Sequence, residues 1–387
     1  MKILLLINWK IKYCEQVPDD LQPSDYSCPQ EPFWFFKYFD KKPQVDVVDI
    51  SAPKWIEKVE NKIRFHFYQT LKILSKVNKY DLIFVHGSNS AMLLCALKRF
   101  FRLKMPPILD VDISSFHQAS CSGMIHRLSQ YSSKAFDYMI YHTSSQKQYY
   151  KDQFSWLSSK SEFVLLGVDY EYWKNKIYPG TKEKNSYIVC VGYRKRDWKT
   201  LLEAYDKAKI KEELYLIGNP NIKSENPKVK VLPFIPIEKL MTYIVNSRFS
   251  VIPLDDFNYS FAQLTLLQQM ALGVPILAAD VPAIRDYAKE SKGVESYIPY
   301  SVENLREKLV GMSMKSETAL AKMGEDNITA IKTTLSEQEM AKKIEMICEK
   351  TCEGEKRHEK IQTAFVRPAG CGPACVRPAR GNGRGGG

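Results

Sequence analysis

Residues 261–288 read FAQLTLLQQMALGVPILAADVPAIRDYA: a loop, a helix, a buried strand and the start of a second helix. Leu264, Leu267 and Ala271 recur at helical spacing, and Gly273 and Pro275 mark where that helix stops and the chain reverses. The apolar run 274–279 predicts a buried parallel strand. Asp280 is placed to cap the next helix, with Pro282 in its first turn, where a missing backbone N–H costs little. The small Ala262 ahead of the first helix leaves room for a ligand to approach its free N–H groups, and helix N-termini favour anions through unpaired amides and the macrodipole. The unit can build a phosphate site, but ordinary core packing gives the same pattern, so spacing alone does not name a ligand.

The same alternation extends through the chain. Residues 2–7, 45–50, 81–85, 107–111, 138–141 and 163–166 read as short buried strands with helical patterns between most of them, which predicts a parallel α/β domain. The pattern restarts with strands at 187–191, 214–217, 229–232, 249–253 and 275–279, a second Rossmann-like domain. The segment GVDYEYW, 167–173, and the Lys-rich 174–186 connect the two. Expected boundaries are 1–172, 173–352 and a tail at 353–387. Helices near 302–313, 316–333 and 336–350 complete the body, the last a candidate to pack back across the first domain. The cleft between the domains is the default ligand site.

A chain of 387 residues with 44% hydrophobic and 26% charged residues can build two cores. No apolar run approaches the roughly 20 residues needed to span a bilayer. Nine cysteines without regular spacing fit reduced thiols in a cytoplasmic protein, and no zinc spacing occurs. The net charge of +12 favours anionic partners without choosing among nucleotide phosphates, membrane and nucleic acid. The Gly-, Pro- and Arg-rich tail from 353 has too little apolar content for a core and reads as disordered. The basic residues are spread along the chain and no nucleic-acid module is present, so nucleic acid is not an expected partner.

Together the two Rossmann-like halves, the GVD linker, the run VGYRKRDWKTLLEA at 191–204, FIP at 234–236 and the segment 261–288 resemble GT-B glycosyltransferases, most closely family 4. The resemblance covers about residues 1–350 and is stronger in the second half. It implies an α/β GT-B fold of two Rossmann-like domains facing across a cleft. The implied activity is transfer of a sugar from a nucleotide-diphosphate donor to a saccharide or lipid-linked acceptor, with retention of configuration, no cofactor and no bound metal. Donor contacts carry over to Gly192, which gives the turn after a strand, and to Arg194 and Arg196, whose forked, permanently charged groups suit a diphosphate. A solvated basic loop is the competing reading of either arginine. Ala262, Gln263, Leu264 and Thr265 carry over as the helix start facing the leaving diphosphate, and Phe234 and Ile235 fall in the segment that receives the nucleobase.

The family pattern has two glutamates eight positions apart, where this chain has Ser260 and Gln268. Gln268 can still hydrogen-bond ribose hydroxyls, whereas Ser260 is too short to replace a carboxylate reaching a sugar. A non-catalytic nucleotide-sugar-binding or partner subunit is therefore the alternative. On the acceptor side Asp112 and His117 fall at and beyond a strand's C-terminal end, where open α/β sheets place ligands, and His86 ends another strand. These three are the candidate catalytic residues. The family's glycine-rich loop after the first strand is replaced by Asn8, Trp9 and Lys10 and an insert ending in FWFF, 33–36, whose aromatics line an acceptor site or pack beneath the loop. Segments 54–68 and 98–104 mix basic and aromatic residues, which suits either a solvated helix face or peripheral contact with an anionic membrane at its inner face.

Overall fold

The computed structural model describes residues 1–63, 66–118, 122–176 and 187–366. It contains two six-stranded sheets whose strands all run parallel. The first comprises β1 (Lys2–Ile7), β2 (Gln44–Val48), β3 (Leu82–His86), β4 (Ile108–Asp112), β5 (Tyr138–Tyr141) and β6 (Ser161–Phe163), in the order 2-1-3-4-5-6. The second comprises β7 (Tyr187–Val191), β8 (Glu213–Ile217), β9 (Val229–Leu232), β10 (Phe249–Ile252), β11 (Ile276–Ala279) and β12 (Val294–Tyr297), in the order 9-8-7-10-11-12. β1 shows why such strands read as continuous apolar runs. Leu4 and Leu6 enter the core on one face, while Ile3, Leu5 and Ile7 enter the core on the other.

Five helices set the positions that matter below: α1 (Met92–Phe100), α2 (Ser115–Gln118), α3 (Gly123–Ser133), α4 (Gln263–Ala271) and α5 (Pro282–Ala288). A sixth, α6 (Glu337–Val366), leaves the second domain and covers the first sheet. Its Met340, Ile344 and Ile347 are buried with Ile3, Leu5 and Phe84, and burying each such side chain is worth about 1.5–3 kcal/mol. This part of α6 therefore serves the first core, although the expected boundaries put it with the second. The helix also continues past residue 353, where the tail was expected to begin. Residues 367–387, and the linker residues 177–186, lie outside the described residues.

The chain passes between the domains twice, and the two passages lie side by side. Val168 N–H donates to Leu335 O at 3.1 Å and Glu337 N–H donates to Val168 O at 3.1 Å. Gly167 is pressed against this seam, since a Cβ there would stand 2.2 Å from Ser336 O.

A second contact joins the loop after β5 to α4 and α5. Ser144 donates through N–H and Oγ to Asp286, and Tyr287 Oη–H donates to His142 O at 2.7 Å.

Candidate active site

The C-terminal ends of both parallel sheets face the space between the domains, and two adjoining cavities open there. The smaller, about 680 Å³, lies against the second domain, and the larger, about 950 Å³, extends toward the first. Phe261, Ala262 and Leu264, at the start of α4, line both.

The smaller cavity gathers Gly192, Tyr193, Arg194, Arg196, Phe234, Ala262, Leu264 and Thr265, so most of the residues expected at the donor come together. Gly192 follows β7 with φ 136°, and a Cβ there would stand 2.5 Å from the Arg196 guanidinium. Glycine thus serves here as space for that side chain as well as for the turn. Arg196 is 7% exposed, with Nε and Nη2 donating to Val191 O and Nη1 donating to Arg194 O. It is a pinned cation rather than part of a solvated loop, and burial pulls its pKa down. A buried cation whose hydrogen bonds go to neutral carbonyls gains from an incoming anion, because its own desolvation has already occurred. Arg194 is exposed at the same wall. Tyr193 and Phe234 form an aromatic pair with centroids 5.7 Å apart, both largely exposed.

Ala262 caps α4 in the left-handed conformation, φ 65°. Helix geometry leaves the first N–H groups of α4, from Gln263, Leu264 and Thr265, without intrahelical acceptors. This end of α4 borders the cavity that also holds Arg194 and Arg196.

Other expected donor residues lie differently. The Gln263 side chain turns away from the smaller cavity, and its Nε2 donates to His142 O, Thr143 Oγ1 and Ala283 O, each at 2.9 Å. Ser260 Oγ–H donates to Gln263 Oε1, which commits its proton within the protein. Ser260 and Gln263 border the larger cavity, whereas Gln268 and Ile235 line neither. Ile235 packs instead against the second core.

The larger cavity is walled by Trp9, Trp34, His86, Tyr172, Asp169 and Glu337, among others. His86 lies edge-to-face with Trp9 and Trp34, at 5.2 and 5.0 Å between centroids. Burial, with His142 adding to it, pushes the His86 pKa down to about 3, so the ring is neutral at physiological pH and a weak base. Phe33, Phe35 and Phe36 are core residues, while Trp34 faces the cavity and donates through Nε1 to Glu337 Oε1 at 2.5 Å. Sequence reasoning missed Glu337, which sits 303 positions away from Trp34. Its only local signal is its place at the start of α6. Lys37 Nζ lies 2.9 Å from Asp169 and 3.9 Å from Glu337. Burial chiefly raises the Glu337 pKa, to about 7.

Asp112 is not on either wall. Its carboxylate is fully buried, accepting from the N–H groups of Ser114 and Ser115 and from Tyr150 Oη–H at 2.5 Å. It caps α2, which corrects its assignment as a catalytic residue. His117 falls within α2, but its side chain lies outside the described residues. The neighbouring Asp110 is also buried and accepts from Ser88. Among the described residues no cluster of three His, Cys, Asp or Glu side chains converges as a metal site would require.

Residues 185–312 match the sequence profile of the family described as glycosyl transferases group 1. Solved structures share the whole architecture at low identity. The N-terminal domain of trehalose-6-phosphate phosphatase from Candida albicans has TM-score 0.66 and 10% identity over 90% of this chain and 97% of its own. HepE from Anabaena, solved with UDP, has TM-score 0.61 and 12% identity over 94% and 100%. Sucrose-phosphate synthase from Thermosynechococcus elongatus has TM-score 0.58 and 14% identity over 94% and 100%. No curated protein sequence matches the chain. Residues 185–312 are thus similar to glycosyl transferases group 1, and the chain as a whole shares the fold of these solved structures.

Proposed function

We propose that this chain moves a sugar from a nucleotide-diphosphate donor to a saccharide or lipid-linked acceptor in glycan or polysaccharide synthesis, working in the cytoplasm at or near a membrane surface. The observation that carries this reading is the convergence of Arg194, the pinned Arg196 and the N-terminus of α4 on one cavity that opens into a second, aromatic one. Preorganised cations and amide dipoles are suited to the charge that builds on a leaving diphosphate, without a metal. Tyr193 and Phe234 offer an apolar platform for the base. The larger cavity, with Trp9 and Trp34 in its wall, takes the acceptor. Retention of configuration follows the family resemblance. The UDP bound in HepE and the sucrose-phosphate synthase likeness favour a nucleotide-sugar donor.

A second reading, a non-catalytic binding subunit, is favoured by the bond between Ser260 and Gln263 and by the neutral Gln268. The full chain, incubated with UDP-, GDP- and ADP-sugars with and without EDTA, separates the two. Released nucleoside diphosphate that persists in EDTA supports the enzyme and names its donor. Nucleotide binding without release across the panel supports the subunit, and no binding at all removes the donor-site assignment.

A further inference from the structure

α3 is amphipathic in the wrong sense for a helix that only covers a sheet. The side chains it buries are His126, Ser129, Ser132 and Ser133. Those it exposes are Met124, at 84%, Ile125, at 70%, Leu128 and Tyr131. Positions 124, 128 and 131 recur at i, i+4 and i+7, one stripe, and Ile125 broadens it. The neighbouring α1 ends in Phe100 and Phe101, 72% and 61% exposed, with Leu103 beyond. The two helices pack together, and the Arg99 guanidinium lies 5.0 Å over the Tyr131 ring. The apolar surface is therefore shared by adjacent elements instead of being scattered, and patches of this kind mark interaction surfaces.

The charge on the same elements has one sign. Lys98, Arg99, Arg102, Lys104, Arg127 and Lys134 fall in 92–105 and 122–134, and no Asp or Glu does. Lys98 is paired with Asp137, and Lys134 lies over Trp156. Large apolar side chains among exposed cations fit the boundary of an anionic lipid bilayer, where the apolar groups enter the acyl edge and the cations meet headgroups. A second copy would bring the same cations against themselves. The chain's own segment 367–387 holds four arginines and no acid, so it has the wrong sign as well.

We infer that the outward face of α3, with the end of α1, docks this protein on an anionic membrane. This deepens the membrane part of the proposed function but does not depend on sugar transfer. The face is also placed to matter to the cleft. Ile113, just beyond β4, lines the larger cavity, and the same crossover continues into α2 and α3. Docking would set the acceptor-side wall at the lipid surface.

The test uses the full chain and flotation with vesicles of phosphatidylcholine alone or mixed equally with phosphatidylglycerol, at low and raised salt. Binding is expected to the mixed vesicles only and to weaken with salt. Ile125→Glu/Leu128→Glu should weaken it at least about tenfold, since both side chains lose their apolar burial. Met124→Ser/Ile125→Ser should weaken it less, with thermal melting and UDP binding unchanged in both variants. Absence of vesicle binding overturns the inference. So does equal binding by the Glu variant, which would assign attachment to the arginine-rich tail. Concentration-dependent self-association that the Glu variant abolishes, without vesicle binding, would assign the face to a second copy and overturn it too. UDP binding is read in the same samples, so a failed membrane result stands apart from a failed donor site.

Discussion

Arg194 and Arg196 are two residues apart and chemically alike, but the fold gives them different work. Arg194→Ala should raise the dissociation constant for UDP about tenfold, the scale of a lost charge-assisted contact, and leave the melting temperature unchanged. Arg196→Ala should weaken UDP binding and also lower the melting temperature, because Val191 O and Arg194 O lose their donors. Titration calorimetry and thermal melting distinguish the pair. Asp112 presents the opposite case, a residue placed by sequence at a ligand-binding strand end and found capping a helix. Asp112→Ala removes acceptors for two backbone amides and for Tyr150 and should destabilise the chain by about 2–4 kcal/mol in denaturant titration. A much smaller loss, with turnover abolished, would return it to the catalytic list. The sequence could not separate these roles, since strand-end position fixes where a residue starts but not which partner its side chain finds.

Elements were far more legible than side chains. Each strand read from the sequence has a counterpart, although β6 spans Ser161–Phe163 where 163–166 was read, and the central strands announce themselves as unbroken apolar runs because they are buried on both faces. β12 was missed for the converse reason. Its sequence VESY has no apolar run, carrying a charge and a serine, and only Tyr297 is buried. α4 was placed correctly, and its N-terminus borders the smaller cavity. Its Gln263, however, faces the domain contact, which no local period encodes. Gln263→Ala leaves His142 O, Thr143 Oγ1 and Ala283 O without that donor and should cost about 1–3 kcal/mol. If the contact governs closure, kcat and KM for the donor should change together. A change in stability alone would confine Gln263 to scaffolding. α3 was not read from the sequence, since a helical apolar stripe does not itself say whether it faces the core or the solvent.

At the scale of the whole molecule, the first domain is finished by residues that come last. Glu337 reaches Trp34 and Lys37 only because α6 returns to the first sheet. Burial, reinforced by Asp169 and opposed by Lys37 and Trp34, raises its pKa from 4.5 to about 7. The folded chain therefore holds a proton that the unfolded chain releases over that interval, so this group's contribution to stability is greatest below about pH 4.5 and falls until about pH 7. Glu337→Gln should abolish that fall, which melting curves across the interval would reveal, and an unaltered pH profile would remove Glu337 as its source. The seam beside Glu337, where Val168 and Ser336 run together under Gly167, has a mechanical consequence. Two neighbouring passages would act as knuckles on one pin: any swing of the domains turns about them and must first release the Ser144–Asp286 and His142–Gln263 contacts. Space close to a pin scarcely changes as a door turns, while the far lip sweeps widely. The corner holding Asp169, Trp34 and Glu337 should therefore act as a fixed gauge for the end of a substrate lodged there, whatever angle the rest of the cleft adopts.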